Sequence, residues 1–179
     1  MTTDKPADAI LVITTLIEGV NGSLKRAFEG LTEEQFQQQP TADTNSIVWL
    51  AWHMNRWKDK QSAQAIGEEE VWVSGGWHDK FGIPADRAGL GDTLEQVAEF
   101  KPSQDLLWGY IDAVHQAFMD RVGRMTPEGL EQPIYYIPGR GEPRPAWRSL
   151  AGICTDNLKH MGQIEYLRGL FTGKGWFLA

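Results

Sequence analysis

Four stretches of the chain repeat apolar residues at intervals of three and four, and each predicts a long helix. In the first, about residues 7–30, Ile10, Ile13, Leu16, Ile17, Val20, Leu24 and Phe28 share one face. The second opens at Asn45 or Ser46, runs to about Ile66 and is closed by Gly67. Its stripe is Ser46, Trp49, Leu50, His53 and Trp57, so a histidine stands in an otherwise apolar row. Ser103 caps the third, which continues to about Met125 through Leu107, Tyr110, Ile111, Val114, Phe118 and Val122. The fourth, from near Ala146 to about Thr172, carries Leu158, Met161, Ile164 and Leu167 at helical spacing, while Asp156, His160 and Gln163 fall on another stripe of it. Such groups facing inward would be costly unless something satisfied them.

The segments between the helices are uneven. A helical turn is expected at 32–36, followed by Pro40 and a polar loop. From 68 to 102 glycines and Pro84 break every period, and so long a connection inside a compact domain points to short helical turns, at 77–81 and 93–99, with functional or interface use of the rest. Thr126 and Pro127 open another turn, and the proline-rich run after it predicts a small hairpin through Pro138 to Glu142. The fold class is therefore all-α: a four-helix bundle with long connections, in which the second and third helices either lie parallel or cross over.

Composition narrows the function classes. The 179 residues suit a single domain spanning 1–179. A net charge of −7 with no basic stretch removes the phosphate-neutralising surface that nucleic acid requires. No apolar run approaches the roughly 18 residues of a membrane span, and the start MTTDKPADAI lacks the pattern of a signal peptide. One cysteine, Cys154, excludes an intrachain disulfide. A cytoplasmic protein acting on a small molecule, with no nucleic-acid or membrane partner, is the expectation. A homodimer is a further one, because bundles of this size pair through exposed apolar faces and Trp176, Phe177 and Leu178 beyond the last helix must cover either the bundle's own end or a partner.

The candidate chemistry lies on two helices. Asp156 and His160 are four residues apart, so their side chains leave neighbouring turns of one face and can reach one ion. His53 would supply a third ligand from another helix, giving a two-histidine, one-carboxylate set with room for water or substrate, suited to zinc, nickel or iron. Taken singly, His53 reads first as a satisfied core or surface histidine and second as a ligand, and Asp156 with His160 reads equally well as an exposed capping or hydrogen-bonding pair. Gln163 either orients His160 or makes an ordinary inter-helix hydrogen bond. For Arg56, pairing with an acid inside the bundle comes before a clamp on a substrate carboxylate. His78 reads first as a solvated loop histidine and second as a fourth ligand or acid/base group. Trp49, Trp52 and Trp57 read first as core and second as walls of a cleft beside the metal.

"NSIVWLAWHMNRWKD" resembles the second helix of the DinB-like superfamily of metalloenzymes, and "DNLKHMGQIEYLRG" resembles its last helix, whose usual signature is H-x-x-x-H-x-G-Q with a following L-R-G. "LTEEQFQQQP" fits the same order. The resemblance implies a bundle of unusual connectivity with a metal held by His53, Asp156 and His160. Asp156 departs from the histidine of many members. A carboxylate there is familiar from the branch resembling mycothiol-dependent maleylpyruvate isomerase, where glutamate serves, and aspartate is one methylene shorter. The resemblance further implies a transfer or isomerisation that uses a low-molecular-weight thiol such as mycothiol or bacillithiol. The alternatives from other classes are a non-catalytic metal- or ligand-binding module and a metal-dependent hydrolase. Cys154, roughly 200° round the helix from Asp156, is not a candidate for the thiol.

Overall fold

The computed structural model describes residues 9–137 and 140–173 and is all-α apart from one short hairpin. Four long helices, α1 (Ala9–Phe28), α3 (Ile47–Ile66), α7 (Gln104–Gly123) and α9 (Ala146–Thr172), make the body. Between them lie the short helices α2 (Glu33–Gln37), α4 (Val71–Ser74), α5 (Trp77–Phe81), α6 (Leu94–Glu99) and α8 (Pro127–Leu130). The strands β1 (Pro133–Ile134) and β2 (Arg144–Pro145) pair antiparallel, Ile134 opposite Arg144.

The ends of these elements follow local chemistry. Thr32 with Gln35, and Thr93 with Gln96, form reciprocal capping boxes that start α2 and α6. Ser46 and Ser103 accept the N–H of Trp49 and Leu106 to open α3 and α7. Gly67 ends α3 in the left-handed region at φ 72°, a conformation that costs glycine little.

Long-range contacts set the topology. α3 packs on α7 and α9, and α1 packs on the same two, so α1 and α3 face each other across the diagonal. Gln104 at the start of α7 donates to the Phe28 carbonyl at the end of α1, so those two run antiparallel. Arg168 late in α9 donates to the Ala27 carbonyl, so α1 and α9 run the same way. Asn157 of α9 donates to Met54 early in α3, while Gln61 late in α3 reaches Tyr136 ahead of α9, which makes α3 and α9 antiparallel. In chain order the four run up, down, down, up. The 67–103 connection is what lets α3 and α7 lie parallel.

α3 is not the amphipathic helix its periodicity predicts. Every residue from Ile47 to Asp59 is buried, including Asn55, Arg56, Lys58 and Asp59. The connection wraps the side of α3 that α7 and α9 leave open and supplies partners for Arg56 and Asp59 there, while Asn55 Oδ1 is buried with no hydrogen-bond partner among the described residues. Asp59 accepts the N–H groups of Val71 (3.0 Å) and Trp72 (2.9 Å) and pairs with Arg121 of α7 at 2.9 Å. Two apolar clusters result: one around Leu24, Phe36, Trp52, Trp72 and Tyr110, the other around Ile17, Trp57, Phe118 and Ile153. On α3 and on α9 the polar residues His53, Asp156 and His160 fall between residues of the first cluster and residues of the second. Trp176, Phe177 and Leu178 lie outside the described residues, as does the Pro138 tip of the hairpin.

Candidate metal centre

His53 is brought to α9 by the antiparallel packing of its helix. Its ring meets that of His160 edge to face, with centroids 5.2 Å apart. Trp49, one turn earlier, stacks flat on His53 at 4.7 Å, and Trp57, one turn later, presents an edge at 6.4 Å. The connection closes over this side of α3: the Ala88 carbonyl lies 2.7 Å from His53 Nδ1. A carbonyl only accepts, so Nδ1 carries the proton and Nε2 keeps its lone pair. Burial pushes the His53 pKa down more than this bond raises it, which holds the ring neutral.

The loop that does this is itself braced. Trp49 donates its indole N–H to Asp92 at 3.0 Å, and Asp92 pairs with Arg87 at 2.7 Å. Gly89 has φ +84°, and a Cβ built there would sit 2.5 Å from His53 Nδ1 and 2.9 Å from Trp49. Only a glycine lets the chain pass so close.

On α9, His160 Nδ1 lies 2.7 Å from Gln163 Oε1, an acceptor, which directs Nε2 toward Asp156. His160 Nε2 and Asp156 Oδ1 are 3.4 Å apart, and both side chains are half-buried. A lone pair facing a carboxylate oxygen is repulsive unless a proton or a cation lies between them. Burial lowers the His160 pKa, but Asp156 and Gln163 outweigh it and the net shift is upward, as expected for a ring nitrogen that faces a carboxylate. The other Asp156 oxygen, Oδ2, is buried with no hydrogen-bond partner among the described residues.

These features fit a divalent metal in donor type. Two ligands about 2.1 Å from one ion at the tetrahedral angle stand roughly 3.4 Å apart, the separation of His160 Nε2 and Asp156 Oδ1. Each histidine has its Nδ1 committed to an oxygen, the usual arrangement for a ring that ligates through Nε2. The three side chains are adjacent rather than closed on one point: among the described residues no three His, Cys, Asp or Glu groups form a ready metal cluster.

The remaining sequence candidates separate. Gln163 touches His160, and Trp49 and Trp57 wall His53. Arg56 is fully buried away from the site: it pairs with Glu70 at 2.9 Å, donates to the Ala85 and Arg87 carbonyls and lies over Trp72. His78 pairs with its neighbour Asp79 on α5, where Trp77 and Phe81 pack on Tyr110. Cys154 is buried, and burial raises its thiol pKa. Sequence reasoning missed Ala88, Gly89, Asp92 and Tyr136. The close glycines of "RAGLGD" were the one local signal for the first three. Tyr136, stacked on Trp57 at 5.6 Å, gave none.

A family model for the DinB superfamily matches residues 17–164. A crystal structure described as the conserved protein of locus from Enterococcus faecalis superposes with a TM-score of 0.80, covering 91% of this chain and 96% of that one. At 22% identity it is evidence of fold. No curated protein matches the chain.

Proposed function

The chain belongs to the DinB superfamily, and from that premise we propose that it is a divalent-metal enzyme whose ligands are His53, Asp156 and His160 and whose reaction is the transfer or isomerisation of a small molecule with a low-molecular-weight thiol. The observation that carries this reading is the opposition of His160 Nε2 and Asp156 Oδ1 at 3.4 Å, a pair that calls for a positive charge between them. Zinc, nickel or iron suits two imidazoles and a carboxylate. When bound, such an ion stabilises a thiolate over its thiol and so supplies a nucleophile at neutral pH.

The chain's own residues do the rest. The Ala88 carbonyl and Gln163 fix the tautomers of the two histidines. Trp49 and Trp57 keep the face of His53 dry, which strengthens electrostatic interactions at the site. Self-association through the exposed Val12, Leu16 and Trp147 belongs to the same proposal; a monomer mass in sedimentation at micromolar concentration would remove that part.

Elemental analysis of the purified protein beside a His160→Ala variant tests the centre. Near-stoichiometric metal, lost in the variant, is expected, followed by thiol-dependent turnover of an electrophile in a substrate screen. Absence of metal from both after reconstitution would leave His160 and Asp156 as a polar network in a non-catalytic module.

A further inference from the structure

Beside the centre stands a cation with no counter-charge among the described residues. Arg144 of β2 is half-buried, with its guanidinium carbon 4.2 Å above the ring of Tyr136. Its Nε donates to Ser149 Oγ at 3.0 Å, and Ser149 is fully buried on the first turns of α9, so the plane of the guanidinium is fixed from two sides. Its Nη2 lies 3.4 Å from where a Cβ on Gly152 would stand, and Tyr136 is 3.6 Å from the same point. The absence of a side chain at 152 gives both groups their place against α9. Among the described residues no carboxylate pairs with Arg144, although the acidic chain offers 24. Immobilising and half-burying a guanidinium without an anion is unfavourable, and its remaining N–H groups form a fork suited to a carboxylate.

Position ties this group to the centre. Gly152 is one helical turn before Asp156 and two before His160, about 6 Å and about 12 Å along the axis. Tyr136 links the two through ring contacts: it stacks on Trp57, which in turn borders His53. Asp156 also raises the Tyr136 pKa, behind the larger effect of burial. We infer that Arg144, held on Tyr136 by Ser149, binds the carboxylate of a ligand whose other end lies at His53, Asp156 and His160. The ligand class is a small carboxylate with its reacting group roughly five to nine bonds away.

The inference rests on the proposed function only for what happens at the far end. The test is calorimetric titration of zinc-treated protein with mercaptohexanoate and with mercaptohexanol, matched in length and differing in the anion. The carboxylate should bind at least about tenfold tighter, the scale of a charge-assisted pair. Arg144→Gln should abolish that preference while leaving mercaptohexanol affinity and zinc content unchanged. Ser149→Ala, which frees the guanidinium without removing it, should reduce the preference by a smaller factor. Equal affinity for the two probes, failure of both to bind, or a preference that survives Arg144→Gln overturns the assignment. Should the protein retain no zinc and still prefer the carboxylate through Arg144, the anion site stands and the metal reading fails. The converse, zinc retained with no preference, sinks the anion site alone.

Discussion

At the scale of single residues, the candidate centre depends on Gly89 as much as on its ligands. Its φ of +84° and the 2.5 Å approach of a built Cβ to His53 Nδ1 mean that a methyl group must displace the loop or the ring. Gly89→Ala is expected to cost about 1–3 kcal/mol and to loosen the bond between His53 and the Ala88 carbonyl. Thermal melting together with metal content checks this; an unchanged melting temperature with full metal retention would show that the contact has slack. The two histidines and the aspartate were legible as residue types at helical spacing. Ala88 and Asp92 were not, since a backbone carbonyl and a carboxylate 35 and 43 residues from their partners leave no periodic trace.

At the scale of elements, α3 is the post around which the others are arranged, and Asp59 is where three of them are tied. Its carboxylate holds the first N–H groups of α4 and the Arg121 guanidinium of α7, with Tyr110 Oη at 3.4 Å. Asp59→Ala would leave Arg121 and Arg56 buried without that charge, and breaking a buried pair in this way costs about 3–5 kcal/mol. Urea denaturation is the measurement, and a loss below about 1 kcal/mol would mean that water or Glu68 replaces the carboxylate. The start and end of α3 were readable from Ser46 and Gly67 because caps are local. Its burial on all sides was not, because polar residues in a helix predict an exposed face unless their partners in the connection are known.

For the molecule as a whole, the interior polarity of α3 predicts a dependence on pH. Lys58 is buried, and burial lowers its pKa to about 7, with Asp59 opposing. In the unfolded chain a lysine titrates near 10.4. From about pH 7 to about pH 10 the unfolded chain holds a proton that the folded chain has shed, so stability rises with pH across that window. Below it both states carry the proton, and the penalty for burying the charge is at its full size. Lys58→Met keeps most of the volume, so it should stabilise the protein at about pH 6 by an amount on the order of 3–5 kcal/mol, shrinking toward about pH 10. Denaturation curves for both proteins at the two ends of that range check it; a pH-independent difference would show that Lys58 stays charged and paired.

The sequence by itself determined the serine caps that open α3 and α7 and the glycine that closes α3, that the chain is all-α, and that Asp156 and His160 stand one helical turn apart. Those properties follow from caps and from the 3.6-residue period, which act within a few residues. Only the tertiary structure decided that α3 and α7 run parallel, that Arg56 belongs to a buried ion network, that the 67–103 connection seals His53, and that Arg144 stands beside Tyr136 with no carboxylate partner among the described residues. Each of these depends on which surfaces meet across long sequence separations, where the free energy of burial and of satisfying buried charges selects among pairings that local pattern leaves equivalent.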